Sequence, residues 1–206
     1  MTQTTTQQPQ VQQPKQDELI LVVKRTELFD ADSAWHGLND QNMEPFLQTI
    51  QAKKEFLPRS IMEQDPTYKQ IIPYLVFKYE NKYFLMQRQS TTSEQRLKNK
   101  FSLGIGGHIR QEDITDNSIF NWARREFDEE VNYTGNVTIE TLGILNDDSN
   151  DVGKVHIGLV LLLNGDNNNI SVKSELKSGE LKTHTECTAL FDCLESWSQL
   201  ILPKLS

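Results

Sequence analysis

Three glutamates between Ile119 and Tyr133 stand where a surface helix ordinarily carries no acids. At about 100° per residue from Ile119, Asn121, Arg124, Arg125, Asp128 and Asn132 share one arc, from about 140° to about 240°, the solvated face of a helix. Ile119, Phe120, Trp122, Ala123, Phe127 and Val131 fill the opposite side. Glu126, Glu129 and Glu130 fall at about 340°, 280° and 20°, inside and beside the apolar sector. Carboxylates about 6 Å apart repel by about 3 kcal/mol per pair at an effective dielectric near 20. Protonation, arginines from elsewhere in the fold, or a bound cation would offset that cost. Hard divalent ions such as Mg²⁺ prefer carboxylate oxygens, so the pattern points to a metal site.

Arg125 precedes the first of these acids and lies four residues before Glu129. It can form an ordinary i,i+4 surface pair, or hold a loop or carboxylate through a bidentate contact. Upstream, Leu103-Gly104-Ile105-Gly106-Gly107-His108 offers two paired glycines. Such glycines serve a bulge or tight turn, or bring backbone close to a metal or phosphate; ahead of three inward acids the second use gains weight. His108 either faces the same site or is a structural histidine. His36, His156 and His184 have no ligand spacing, and Cys187 and Cys193 read as small buried hydrophobes.

These residues need a scaffold. Leu19 to Val23 reads as a short buried strand, and Ala31 to Ala52 spaces its apolar residues for one or two short helices. Ile71–Tyr79 and Tyr83–Arg88 flank Glu80-Asn81-Lys82 as a β-hairpin, with Pro73 expected near the start of its strand. Phe101 to Ile105 continues as a strand into the glycines. The helix is predicted from Thr115 or Asp116 to Val131, with Asn132 ending it in left-handed geometry. Strands over Val137–Leu145 and Lys154–Leu163 flank a polar loop, Asn164 to Asn169 is a turn, and a helix from Asp192 through Ile201 packs on the sheet. The fold class is an α+β or α/β sandwich, a mixed sheet packed between helices in a single domain.

Composition narrows the classes. In 206 residues, 29 acidic against 21 basic side chains give a net charge of −8, which excludes nucleic-acid coating. A small phosphorylated ligand stays open, because a bound cation inverts the local field. The longest apolar stretch, Ile157 to Leu163, is too short to span a bilayer, and no signal-peptide pattern stands at the start. Two cysteines build no disulfide framework, so a cytoplasmic, reducing compartment is expected. Residues 1–16, with seven glutamines among threonines and prolines, read as a disordered tail.

Arg125-Glu126-Phe127-Asp128-Glu129-Glu130-Val131-Asn132-Tyr133 closely resembles the second half of the Nudix hydrolase box, Arg-Glu-aliphatic-x-Glu-Glu-x-Gly-aliphatic. Phe127 and Tyr133 stand where that family has aliphatic residues, and Asn132 stands for its glycine. In the first half, Gly107 and five further residues lead to Asp113 rather than glutamate, with Glu112 one place early. Eleven residues rather than seven then precede Arg125, a four-residue insertion that leaves its loop partner open between Asp113 and Glu112. The resemblance covers about residues 70–204, with 17–69 as an N-terminal extension of a strand plus helices packed on the core. Phe56 to Arg96 also resembles a branch described as predicted phosphoesterases, in which Lys69-Gln70-Ile71-Ile72-Pro73-Tyr74 and Gly104–Ile109 are recognisable.

The resemblance implies a Nudix-like fold and hydrolysis of a nucleoside diphosphate linked to another group, with Mg²⁺ or Mn²⁺. Glu126, Glu129 and Glu130 would hold the metal, joined by the carbonyl of Gly106 or Gly107, with Arg125 catalytic and Gly107, Asp113 and Glu112 orienting the loop. Arg59, Arg88, Arg96 and His108 are candidates to bind a small phosphorylated substrate, which the resemblance implies is a nucleotide derivative. Glu180, Glu186, Asp147, Asp148 and Asp151 are candidate bases beside the three glutamates. A nucleotide-binding or regulatory domain without turnover is the alternative, and an isomerase, which would need a placed cysteine, a distant third. Oligomeric state is open, a homodimer included.

Overall fold

The computed structural model describes residues 17–30, 34–41, 43–88, 100–114, 119–173 and 176–205. The chain order is β1 (Leu19–Lys24), α1 (Arg25–Leu28), β2 (Gly37–Asn39), α2 (Met43–Lys53), β3 (Glu55–Pro58), α3 (Arg59–Met62), β4 (Tyr68–Tyr79) and β5 (Lys82–Arg88). There follow β6 (Phe101–Ser102), β7 (Gly104–Gly106), α4 (Ile119–Glu130), β8 (Val131–Tyr133), β9 (Val137–Asn146), α5 (Asp151–Val155) and β10 (His156–Gly165). The chain closes with β11 (Ile170–Val172), β12 (Leu176–Thr183), α6 (His184–Thr188) and α7 (Ser196–Ile201).

One mixed sheet runs β12-β5-β4-β10-β9-β2, with β1 and β7 also on β4, β3 on β1 and β6 on β5. Its centre is the parallel pair β4–β10, in register from Gln70 against His156 to Lys78 against Asn164. Alternation along these strands sorts side chains to two faces. Ile71, Leu75 and Phe77 of β4 and Ile157, Leu159, Leu161 and Leu163 of β10 join Trp122, Ala123 and Phe127 of α4 in one core. Tyr74 and Val76 with Val160 and Leu162 pack on the other face against Cys187, Ile201 and Leu202. Near-continuous apolar runs in both strands follow from burial on both faces. The result is the expected mixed sheet between helices in one domain.

Several boundaries differ from expectation for physical reasons. Pro73 lies in the middle of β4, where the neighbour on one side changes from β1, ending opposite Gln70, to β7, starting opposite Tyr74. A missing N–H is tolerated in that gap. The strand expected over Phe101–Ile105 is broken at Leu103 into β6 and β7. Asn132 is not a left-handed helix cap: among the described non-glycine residues only Glu80, in the hairpin turn, has positive φ (52°). Instead α4 runs directly into β8, and Lys173 closes the helix end by donating its backbone N–H to the Glu130 carbonyl at 3.0 Å and its amine to the Asp128 carbonyl. The expected N-caps Thr115 and Asp116 lie outside the described residues. The C-terminal helix is shorter than expected, one turn and a half flanked by 3₁₀ turns at Phe191–Cys193 and Leu202–Lys204. Cys187 is buried as expected, whereas Cys193, in the first of those turns, is exposed because that turn buries none of its residues. Among the described residues, no helix is long and apolar enough to cross a membrane.

Candidate active site

A cavity of about 410 Å³ opens where α4, the glycine segment, the loop before β10 and the start of α7 meet. Glu126, Glu129 and Glu130 all line it, with Gly106, Gly107 and His108 opposite them in the wall. The helix that points its apolar stripe of Trp122 and Phe127 into the core therefore carries the three acids to the cavity edge of that stripe. Glu126 is the inner acid, its side chain 17% exposed, while Glu129 at the mouth is 57% exposed. Burial, then the nearby Glu129 carboxylate, push Glu126 up to about 7.

Arg125 sits behind these acids. It meets Glu129 at 2.5 Å and Asp113 at 3.0 Å, and its second terminal nitrogen is 3.8 Å from Glu126. The loop acid it meets is thus Asp113, 6% exposed, while Glu112 is 67% exposed and lies 3.7 Å from Arg110. Asp113 also accepts from the backbone N–H and guanidinium of Arg110 and from the Trp122 indole at 3.2 Å. Burial works to raise its pKa, but the Arg110 hydrogen bonds and the Arg125 charge hold it below the ordinary value. This tie fastens the turn after the glycines to the first half of α4 across the insertion.

The donor set suits a hard divalent cation. A Cβ at Gly107 would come within 2.2 Å of the Glu126 carboxylate, so the glycine backbone lies directly against that acid. Among the described residues, no three Asp, Glu, His or Cys side chains are gathered tightly enough to form a ready cage. Mg²⁺ needs none, because it keeps several waters and commonly takes only one or two carboxylates. No arginine from another element pairs with Glu126 or Glu129 among the described residues.

The cavity walls hang on β4. The fully buried Lys69 donates to Asp148 at 2.7 Å and to the carbonyls of Gly153 and His156 at 2.8 and 3.1 Å, pinning the loop that supplies Asn150, Val152 and Gly153 to the wall. Arg25 grips the other oxygen of Asp148 at 2.5 Å. Burial would raise the Asp148 pKa, yet hydrogen bonds from Arg25, Lys69 and Asn146 hold it far below the usual carboxylate range. Five residues along, the Tyr74 hydroxyl donates to Glu195 at 2.5 Å and accepts from the Gly104 N–H at 3.1 Å. Glu195 in turn caps α7 by accepting from the N–H groups of Trp197 and Ser198. One hydroxyl thereby ties the glycine segment to the C-terminal helix.

Of the other candidates, Arg59 and His108 line the cavity. Arg59 is already paired with Glu18 at 3.0 Å and Glu63 at 2.8 Å. Burial, then the charges of Arg59 and the His156 ring, lower His108 to about 3. The side chain of Arg88 and the whole of Arg96 lie outside the described residues. None of the five loop acids named as candidate bases lines the cavity. Asp147 is buried accepting from Ser149 and Asn150, Asp148 is the clamp just described, Asp151 pairs with Lys154, Glu180 with Lys182, and Glu186 caps α6. Sequence reasoning missed Tyr74, Arg110, His156, Glu195 and Trp197 in or behind the wall. A helix-capping acid at Glu195, before Ser196, was the only readable signal among them.

The fold matches known structures. Tm1382, described as a candidate Nudix hydrolase, superposes with a TM-score of 0.78 at 29% identity, over 91% of this chain and 98% of its own. The NUDIX domain of Shewanella oneidensis NrtR, solved in complex with ADP ribose, shares the fold at a TM-score of 0.50 and 13% identity, over 66% of this chain and 85% of its own. The chain has the fold of Nudix hydrolases, and its structural neighbours are proteins of that family. Protein YmaB of Bacillus subtilis (strain 168) is a relative, 35% identical over an alignment of 206 positions that covers 91% of this chain and 97% of that protein. No protein-family model matches the chain.

Proposed function

We propose that this protein hydrolyses a phosphoanhydride in a nucleoside diphosphate linked to another group, water attacking phosphorus, with Mg²⁺ or Mn²⁺ as the cofactor. The observation that carries this reading is the meeting of three α4 carboxylates with a glycine backbone in one cavity. Glu126, Glu129, Glu130 and the Gly106 carbonyl are the groups that would hold the ion. A divalent ion there would neutralise phosphate oxygens and lower the pKa of a bound water. Glu129 would leave Arg125, its present partner, to do so, and Arg125 would keep Asp113 and with it the loop.

The proton of the attacking water has few destinations. Glu195 lines the cavity, but Tyr74, Ser198 and the Trp197 N–H already occupy its oxygens. Glu18 is held by Arg59. The α4 glutamates therefore supply both the ligands and the base. Arg59 and Arg110, at the rim, would meet the remaining phosphate charge once they release their acidic partners.

The test is phosphate release, after phosphatase treatment, from nucleoside triphosphates, dinucleoside polyphosphates, nucleotide sugars, dinucleotide cofactors and ADP ribose with Mg²⁺ or Mn²⁺. Glu129→Gln and Glu130→Gln should each cut turnover by about 100-fold or more while the fold stays intact, because each change relieves repulsion. Full activity in both variants sinks the metal assignment. The Arg125–Glu129 pair, which closes the acid cluster as it stands, favours a second reading, a nucleotide-binding domain without turnover. Silence across the panel, with a nucleotide still raising the melting temperature, would establish that one.

A further inference from the structure

Gln70, between the two wall anchors of β4, is fully buried. Its amide N–H donates to the Met62 carbonyl at 3.1 Å, and its amide oxygen faces His108 Nε2 at 2.7 Å. A carbonyl only accepts, so the Met62 contact fixes which end of the amide is which. The Gln70 oxygen then requires the proton of His108 to sit on Nε2. Across the cavity wall, His156 Nδ1 lies 2.7 Å from the Val152 carbonyl and must donate to it, leaving His156 Nε2 to accept. That atom is 3.3 Å from His108 Nε2 and shares the same proton. With one proton on each ring, the whole chain closes without two donors or two acceptors face to face.

The remaining ring atom, His108 Nδ1, is then an acceptor. It has no hydrogen-bond partner among the described residues, and it is not one of the buried atoms left unpartnered, which are Arg125 Nη2 and Asn146 Oδ1. It is therefore reachable from the cavity that the ring lines. A phosphate oxygen, itself an acceptor, gains nothing from this atom. We infer that His108 Nδ1, held in this tautomer by Gln70, is a specificity-determining contact that accepts a hydrogen bond from an uncharged O–H or N–H on the non-phosphate part of the substrate. The inference rests on the hydrolase reading above and names what part of the substrate the histidine wall reads. A sugar hydroxyl and a base amino group share this chemistry.

The test compares kcat/KM for the best substrate of the panel with matched analogues: 2′-deoxy and 3′-deoxy forms for the sugar hydroxyls, and a base lacking its exocyclic amino group for the amine. The wild type should prefer the donor-bearing compound by about tenfold in one arm, and the arm identifies the source. His108→Gln reaches toward Gln70 but has no acceptor at the Nδ1 position, so the preference should fall to near one. His108→Asn places its amide near the Nδ1 position and should retain part of the preference. Calorimetric binding of the corresponding nucleoside monophosphates gives the same comparison without turnover. Flat ratios in the wild type, or an unchanged preference in His108→Gln, overturn the inference while Glu129-dependent hydrolysis still stands. Neither turnover nor binding in any arm overturns both readings together.

Discussion

A single acid decides how the loop after the glycines is held. Asp113 is enclosed by Arg110, Trp122 and Arg125, whereas Glu112 points to solvent. Asp113→Asn should cost about 1–3 kcal/mol and reduce turnover, because it leaves buried donors without a charged acceptor. Glu112→Gln should stay within about 0.5 kcal/mol of the parent. Urea unfolding of the two variants checks the contrast; equal effects would mean the loop is held otherwise. The residue spacing could not choose between these neighbours, since a one-residue step along a 3₁₀ turn reverses which side chain faces inward. Two glycines make a second contrast. A Cβ at Gly107 meets the mobile end of Glu126 at 2.2 Å, while one at Gly153 meets the Asp147 backbone carbonyl at 1.7 Å. Gly107→Ala should abolish turnover with a near-native melting temperature, and Gly153→Ala should destabilise by about 1–3 kcal/mol or more. A large loss of stability in Gly107→Ala would show that the close approach is structural instead.

Strand β4 does more than its apolar pattern announces. Read for hydropathy, Ile71 to Tyr79 is simply a buried strand, and that much was legible in the sequence. Its polar residues were not interpretable there, because their partners lie in segments far along the chain: Asp148 for Lys69, and Glu195 for Tyr74. Tyr74→Phe should cost about 1–3 kcal/mol by leaving the Gly104 N–H and the Glu195 carboxylate without their shared hydroxyl. It should also raise the Mg²⁺ concentration needed for half-maximal activity, since Gly104 leads into the glycines. Titration of activity and urea unfolding read the two effects separately, and an unchanged Mg²⁺ requirement would confine Tyr74 to stability. Helix α4 was the most legible element, because its three acids break a 3.6-residue pattern that is otherwise clean. Its end was misread: Asn132 belongs to β8, a strand that exists only because β11 comes back to pair with it.

At the scale of the molecule, acid is the natural stress. The Asp148 carboxylate is held below its unfolded-state pKa by Arg25, Lys69 and Asn146 against the opposing effect of burial. A carboxylate depressed in the native state contributes its full stabilisation above the unfolded value, about 3.9, and loses it as pH falls toward the native value. Asp148→Asn should therefore flatten the decline of stability below about pH 4 and lower stability near neutrality. Denaturant unfolding across pH 2.5–7, a window of about that width around the carboxylate range, follows both changes. An unaltered acid limb would place the acid sensitivity elsewhere. The sandwich itself was readable from the alternation of apolar strands around one amphipathic helix. The strand at Leu19–Val23 was legible but its place in the sheet was not, and β3 and β12 were not read, because nothing local says which edge of a sheet a strand will join.

The β4–β10 pair is parallel and joins segments 86 positions apart, Gln70 facing His156. Such contacts close large loops, and chains that depend on them fold slowly. Glutamates from α4, histidines from both sides of it, and the cap of the last helix come together only after that closure. A fragment ending before β10 would thus carry every residue of the glutamate motif and still have no pocket to put them in. The same dependence runs in reverse: any nucleotide that binds only the closed cavity protects the entire chain, so slow hydrogen exchange should spread from β4 and β10 outward when it is present.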